Sequence, residues 1–88
     1  MAELMQVELV APDAVIFTGE ASMVIVRTET GGDEAFLAHH APFLASLADH
    51  EARIYLADGN VAHVLVHGGF VQVANNKVSI LSDAAELV

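Results

Sequence analysis

Turn-forming residue pairs divide this chain into many short segments, and this division restricts the fold more than any other feature. Asp58-Gly59, Gly68-Gly69 and Asn75-Asn76 each separate runs that are rich in apolar and β-branched residues. Turn signals recur about every 8 to 12 residues, a spacing typical of β-sandwiches and barrels. Asp-Gly is a strong hairpin signal, because both residues tolerate the positive φ angles of a tight turn. The sequence therefore predicts an all-β domain, a sandwich or barrel of short strands.

The composition supports a packed domain and excludes several functions. The chain has 88 residues, enough for one domain, and 55% of them are hydrophobic, so a core can form and intrinsic disorder is excluded. Lys and Arg total 3 against 12 Asp and Glu, a net charge of −9. Nucleic acids and anionic lipid surfaces attract clustered basic residues, so neither is an expected partner. The chain has no cysteine, which excludes disulfides, zinc–thiolate sites and thiol nucleophiles.

Two segments depart from the alternating pattern of a half-buried strand. Ser22–Thr28 is apolar at successive positions, which predicts a strand covered on both faces. The last residues, 82–88, resemble the start of a helix, with Ser82 or Asp83 as the N-cap. We therefore expect the β domain to cover residues 1–83 and a short tail to cover 84–88. No apolar run approaches the ~20 residues of a membrane helix, so we expect no direct membrane insertion.

The histidines are the first candidates for a chemical site. His39 and His40 are adjacent, and His63 and His67 lie four residues apart. On a strand, this second pair shares a face at a separation of roughly 13 Å, too far for one metal ion. No carboxylate stands at a recognisable metal-ligand spacing beside them. We expect no metal. One alternative stays open: a free-standing acidic β-sandwich that binds a metal or small ligand through His39, His40 and the acidic loop of residues 29–34.

The carboxylates Glu29, Asp33 and Glu34 bracket Gly31-Gly32 in an expected loop. An exposed loop perturbs a carboxyl pKa little, so acid–base catalysis is not indicated. They form either a solvated acidic loop or a contact for a basic partner. The serines lack a nucleophile-elbow context, and Gly68-Gly69 leads into a strand rather than the helix of a phosphate loop. The residues themselves thus indicate a small acidic β domain that contacts other proteins and has no catalytic site.

Three stretches carry a family resemblance. Residues 66–83 (VHGGFVQVANNKVSILSD) closely resemble the last strands of the epsilon subunit of F-type rotary ATP synthase. Residues 5–13 (MQVELVAPD), followed by 17–21 (FTGEA), look like the opening strands of that family. Residues 36–44 (FLAHHAPFL) are similar to its F-L-P-G-H-A-P segment. These matches follow the family's order and extend from about residue 4 to residue 83, nearly the whole chain.

The resemblance implies a flattened β-sandwich of about ten short strands that binds the gamma subunit and the polar loops of the membrane c-ring. Such a domain is a non-catalytic central-stalk subunit without cofactors, and it couples proton transport by rotation to ATP synthesis. It would lie at the cytoplasmic face of a bacterial plasma membrane, as a peripheral subunit. By position, the resemblance implies a c-ring contact at Asp33, flanked by Glu29 and Glu34. It implies gamma contacts at Ala11, His40 and Ala45.

The chain also departs from the family pattern. The family's Pro-Gly before the histidine is Ala38-His39, and a loop glycine is Ala35. If that glycine needs a positive φ, alanine costs about 1 kcal/mol or forces a different turn. The family usually continues into a C-terminal helical hairpin that inhibits ATP hydrolysis and in some members binds ATP. The sequence ends at Val88, where the first helix of that hairpin would start, so we expect a short form that lacks this inhibition.

Overall fold

The computed structural model describes residues 3–88, which form nine β-strands. We number them in chain order as β1 (Met5–Ala11), β2 (Ala14–Thr28), β3 (Gly32–Leu37), β4 (Phe43–Ser46), β5 (His50–Leu56), β6 (Val61–His67), β7 (Phe70–Ala74), β8 (Lys77–Leu81) and β9 (Ala84–Leu87). None of these residues belongs to a helix with the length and apolar character needed to cross a bilayer. The predicted all-β class is confirmed.

The 15-residue strand β2 connects the two layers of the sandwich. Its first half pairs with β1, so the first layer has the strand order β4-β7-β8-β1-β2. Its second half pairs with β3 and β5, and β6 and β9 follow in the second layer. Counted as two segments, β2 brings the number of strands in residues 3–88 to the expected ten. All pairs are antiparallel except β1 with β8, which run parallel.

The core lies between the layers and receives alternate side chains from each strand. The buried apolar residues include Val7 and Leu9 from β1, Val71 and Val73 from β7, and Val78 and Ile80 from β8. They also include Val24 and Val26 from β2, Phe36 from β3, Ile54 from β5, and Val64 and Val66 from β6. Burial of a full Val, Ile or Phe side chain contributes about 1.5–3 kcal/mol. This repeated burial lets an acidic chain without disulfides form a stable sandwich.

Strand β2 alternates more strictly than its sequence predicts. Val24, Val26 and Thr28 are buried, whereas Met23 and Ile25 lie on the outer face and are only partly buried. The prediction that Ser22–Thr28 is covered on both faces is therefore wrong. The outer face of the second layer instead carries Met23 and Ile25, which keep part of their surface exposed.

The last residues form a strand and not a helix. Strand β9 pairs with β6, with Ala85 opposite Val66 and Leu87 opposite Val64. The Ser82 hydroxyl lies within hydrogen-bonding distance of the backbone of His67 and Ala84, and so does not cap a helix. One helical turn gains too few hydrogen bonds to offset its nucleation cost, whereas the free edge of β6 offers a full ladder. The helix prediction for this segment is wrong.

Candidate functional site

The acidic loop lies where β2 ends and β3 begins. Thr28 orders it, because the Thr28 hydroxyl accepts a hydrogen bond from the Gly31 amide (2.9 Å) and donates one to the Gly32 carbonyl (3.1 Å). Glu29 is joined to β4 by its amide, which donates to the Ser46 carbonyl at 3.0 Å. The loop thus has a fixed conformation and is held against the end of β4.

Of the three predicted c-ring residues, only Glu29 lies in the loop; Asp33 and Glu34 belong to strand β3, so their expected loop position is wrong. The Asp33 carboxylate accepts a hydrogen bond from the Arg27 guanidinium across the β2–β3 pair (2.9 Å). That hydrogen bond, with the positive charge of Arg27, lowers the pKa of Asp33 below its ordinary value. Glu34 lies opposite Val26, on the face of β3 that carries Phe36. Within residues 3–88, neither Glu29 nor Glu34 forms an ion pair.

Glu29 also lines an open groove of about 600 Å³. Asp49 and Asp83 line the same groove, together with Gly68 and Gly69. We call it the acidic groove. The structure therefore places two carboxylates beside Glu29 that the sequence pattern does not connect with it.

The glycine-to-alanine replacement at Ala35 causes no strain. Ala35 pairs with Ile25 inside the β2–β3 ladder. Its φ is not positive, whereas Gly32 provides the positive φ of this hairpin (72°). The expected cost at Ala35 is therefore absent. The chain uses a non-glycine residue in the left-handed region elsewhere, at His39 (φ 65°), where the family pattern has glycine.

Ala11 lies beside an apolar hollow at one end of the first layer. The hollow has a volume of about 420 Å³ and is lined mainly by Val10, Ala11, Pro12, Phe70 and Leu81. We call it the Ala11 hollow. Gly69 and Asp83 line both this hollow and the acidic groove. The two surfaces are therefore neighbours at the same end of the sandwich.

An exposed apolar row continues from the Ala11 hollow across the outer face. Phe70 pairs with Leu81, Leu81 with Val10, and Val10 with Val15. Directly paired residues project to the same side of a sheet, so these four side chains form one row. Phe70 is 41% exposed and Val15 63% exposed. Contiguous apolar side chains on the surface of a small domain commonly mark a protein contact.

Neither of the other two predicted gamma contacts belongs to this row. Ala45 pairs with Val71 and packs against the core from β4. His40 lies in the β3–β4 turn, where its ring meets the buried Phe36 ring edge-on at 5.1 Å between centroids. Phe43, which follows this turn, pairs with Val73 at the opposite end of β7 from Phe70. The structure therefore does not bring Ala11, His40 and Ala45 into one patch.

The histidines do not form a shared metal site among residues 3–88. Groups of three or more potential ligands are absent from that part of the chain. The His39 ring lies 2.7 Å from the Glu3 carboxylate, while the His40 ring lies 2.7 Å from the Ala41 carbonyl. His63 pairs with Glu51 across β5 and β6 at 2.7 Å. The described residues thus give no support to the alternative of a metal-binding module.

Comparison with known proteins identifies the family. The family model described as the beta-sandwich domain of the ATP synthase delta/epsilon chain matches residues 4–88. The ATP synthase epsilon chain of Streptomyces avermitilis is 42% identical over 87 residues, which cover 99% of this chain and 69% of that protein. The chain belongs to the ATP synthase epsilon family. The epsilon chain of Ligilactobacillus salivarius is 35% identical, and its match covers 94% of this chain and 59% of that protein.

Solved structures of ATP synthase contain the same fold. A chain of the Euglena gracilis mitochondrial enzyme, in a complex of OSCP, F1 and c-ring, matches with a TM-score of 0.85 at 23% identity. The match covers 92% of this chain and 51% of that one. A chain from the central stalk and c-ring of the Tetrahymena thermophila enzyme matches with a TM-score of 0.76 at 18% identity, covering 96% of this chain and 66% of that one. These structures show the shared fold, while the family model and the curated relatives confirm the epsilon resemblance. The free-standing binding module is not favoured.

Sequence reasoning missed the surface role of Phe70, Leu81 and Val10. Each is an apolar residue in a strand, so the pattern alone predicts a core position. The sequence does contain a signal, since each of the three has an apolar neighbour in its strand: Val71, Ile80 and Leu9. Successive side chains of a strand point to opposite faces, so both members of such a pair cannot enter the core. Two adjacent apolar residues in a sandwich strand leave one of them outside. Applied to all three strands, this rule would have found the apolar row.

Proposed function

We propose that this epsilon-family chain is a non-catalytic subunit of the central stalk of ATP synthase and couples rotation to ATP synthesis. In this role it binds the gamma subunit through the Ala11 hollow and the apolar row, with His40 in the β3–β4 turn as a separate gamma contact. It binds the c-ring through the acidic loop. It works as a peripheral subunit at the cytoplasmic face of a bacterial membrane. The observation that carries the proposal is the exposed apolar surface around Phe70 in a chain of this family.

The Ala11 hollow has the features of an anchor pocket for a partner side chain. Phe70 and Leu81 line it and are partly exposed, and Gly69 also lines it. Interface energy concentrates in buried aromatic anchors and the pockets beside them. Burial of the exposed parts of the row by gamma removes apolar surface from water at about 25 cal/mol per Å². Among the predicted gamma contacts, Ala11 is the one that lies in this surface.

The acidic loop suits a basic surface on the second partner. Asp33 already pairs with Arg27, so the negative charge that is left for a partner comes mainly from Glu29 and Glu34. The family resemblance places basic residues on the polar loops of the c-ring. Charge complementarity of this kind sets orientation and association rate more than affinity. Because the acidic groove adjoins the Ala11 hollow through Gly69, one end of the sandwich can face both partners.

The gamma contact is tested with a matched pair of exposed apolar side chains. Phe70→Ala truncates the row, and Leu87→Ala truncates a more exposed side chain (57%) on β9, away from the row and from the His40 turn. Each variant is co-expressed with the gamma subunit of the same organism, and affinity is measured by surface plasmon resonance. We expect Phe70→Ala to weaken binding at least about tenfold, as for an interface anchor, and Leu87→Ala to leave it within about twofold. Equal affinities for the two variants would contradict the assignment.

The c-ring contact is tested in the assembled enzyme. The double variant Glu29→Gln and Glu34→Gln removes two carboxylates, while Glu86→Gln on β9 removes one outside this loop. We expect the double variant to lower proton-driven ATP synthesis in membrane vesicles and to reduce its dependence on salt. Glu86→Gln should match the unmodified enzyme. A double variant with normal coupling at every salt concentration would exclude the acidic loop as the contact.

A further inference from the structure

Three residues other than glycine have left-handed backbone angles in residues 3–88, and all three meet at one end of the first layer. They are His39 (φ 65°), Asn75 (φ 52°) and Asn76 (φ 59°). Asn75 and Asn76 form the turn between β7 and β8, and His39 lies in the turn between β3 and β4. Asparagine tolerates the two positive φ angles of a tight hairpin turn, so Asn75 and Asn76 need no further support. A left-handed histidine is less common and indicates that its surroundings hold it in place. This cluster is distant from the Ala11 hollow and includes the neighbour of His40.

The Asn76 side chain connects three parts of the chain. Its Nδ2 group donates a hydrogen bond to the Leu4 carbonyl at 3.0 Å. Its Oδ1 atom accepts a hydrogen bond from the His39 amide at 2.8 Å. The Asn76 carbonyl also accepts from the Gln6 amide at 3.1 Å. One amide side chain thus joins the start of β1, the β7–β8 turn and the β3–β4 turn.

His39 depends on this connection for its backbone conformation. The His40 amide donates to the Leu37 carbonyl at 3.1 Å, which closes a four-residue turn with His39 in its third position. A positive φ at that position is the property of a type II turn, which favours glycine. Here a histidine occupies it, and the hydrogen bond from its amide to Asn76 fixes the peptide orientation. The same turn directs the His40 ring edge-on against Phe36.

We propose that Asn76 is a positioning residue whose side-chain amide holds the His39–His40 turn in the conformation that presents His40 to the gamma subunit. The proposal rests on the proposed function in one respect, the contact of His40 with gamma. Asn75 provides the contrast, because it shares the turn and the sign of φ. Its side chain is exposed and takes no part in the side-chain hydrogen bonds found in residues 3–88.

The test compares Asn76→Gly with Asn75→Gly in the 88-residue chain. Both substitutions keep a positive φ accessible, but only the first removes the side-chain bonds to His39 and Leu4. Exchange of the His39 amide with deuterium is followed by NMR, with circular dichroism as the check on folding. We expect Asn76→Gly to accelerate this exchange about tenfold, the effect of one lost hydrogen bond. Asn75→Gly should leave it within about twofold.

Asn76→Asp provides rescue by a conservative change. The aspartate keeps an oxygen that accepts from the His39 amide but loses the donor to the Leu4 carbonyl. We expect His39 exchange in this variant to stay within about threefold of the unmodified chain, well below the change in Asn76→Gly. Should Asn76→Gly fail to fold, Asn76→Ser takes its place, since serine is too short to reach both partners. Equal His39 exchange in Asn76→Gly, or its replacement, and Asn75→Gly would overturn the proposal.

The affinity for gamma supplies the second readout. We expect Asn76→Gly to weaken gamma binding about fivefold and Asn75→Gly to leave it unchanged, and an unchanged affinity in Asn76→Gly overturns the presenting role. If the unmodified chain does not bind gamma at all, the proposed function fails. The exchange rates then still decide whether Asn76 holds the turn, so the two failures are distinguishable.

Discussion

Replacement of Gly69 by alanine gives the sharpest test of the fold around the Ala11 hollow. Gly69 has a φ of 93° and stands at the turn between β6 and β7. A Cβ atom there would overlap the Leu81 carbonyl oxygen, and it would lie 2.7 Å from the Ser82 Cα and 2.8 Å from the Leu81 carbonyl carbon. All three atoms belong to the backbone, so no rotation of a side chain relieves the overlap.

The matched control is Gly59→Ala. Gly59 has nearly the same φ, 92°, and a Cβ there would meet no atom within 4 Å. It therefore carries only the cost of a left-handed alanine, about 1–2 kcal/mol. Gly69→Ala adds a displacement of the end of β8, for which overpacking suggests about 1–3 kcal/mol more. We expect losses of unfolding free energy of about 1–2 kcal/mol for Gly59→Ala and about 2–5 kcal/mol for Gly69→Ala.

The two variants are compared by urea unfolding, monitored by circular dichroism. Small domains often have a total stability of only about 5–15 kcal/mol, so Gly69→Ala should unfold at much lower urea concentration. For a domain of this size, each kcal/mol also shifts the melting temperature by about 4–8 °C. Losses that agree within about 0.5 kcal/mol would refute the reasoning, because the contact with Leu81 would then carry no cost. Gly69→Ala should also weaken gamma binding, since Gly69 lines the hollow.

Three further results are expected. Arg27→Gln should raise the pKa of Asp33 towards its ordinary value, as measured by NMR titration, because the hydrogen bond from Arg27 lowers it. Since the pKa of Asp33 is lower in the folded state, the stabilisation from this ion pair is present above the unfolded-state pKa and is lost as the pH falls through the folded-state pKa. A titration of Asp33 unchanged by Arg27→Gln would contradict this cause. Ser82→Ala should cost about 1–3 kcal/mol in thermal unfolding, because the buried hydroxyl bonds the backbone of His67 and Ala84, and no loss would show that water replaces it. Phe36→Ala should cost about 3–5 kcal/mol because its side chain is fully buried, and a loss below 1 kcal/mol would mean that the core closes around the space.

The turns and strands could largely be predicted from local chemistry. Gly59, Asn75 and Asn76 have the positive φ angles that their sequence context indicates, because turn geometry depends on a few adjacent residues. The final strand could not be predicted in this way. Residues 84–87 are strand only because β6 has a free edge for them, a partner about 20 residues earlier in the chain. Their own propensities contain no information about that edge.

For the site residues too, what is local could be predicted and what depends on the strand arrangement could not. The three carboxylates at the β2–β3 connection are visible in the sequence, but only Glu29 lies in the exposed loop. Asp33 and Glu34 belong to β3, and Glu34 is only partly exposed. The ion pair of Asp33 with Arg27 depends on the β2–β3 register, which the sequence pattern leaves undetermined. The Ala11 hollow combines the ends of β1, β7 and β8, with Phe70 near Ala11 although 59 positions separate them. Such proximity arises only from the order of strands in the sheet.

The parallel pairing of β1 with β8 also determines when this domain can fold during synthesis. Strand β1 is made first, yet one of its edges remains open until residues 77–81 are available to pair with it. β7 and β4 join the first layer only through β8, so this layer cannot be completed until β8 has been synthesised. Long-range pairing of this kind slows folding and exposes strand edges meanwhile. A ribosome-bound chain that ends before Lys77 should therefore be protease-sensitive and prone to association, and both properties should disappear once β8 has emerged.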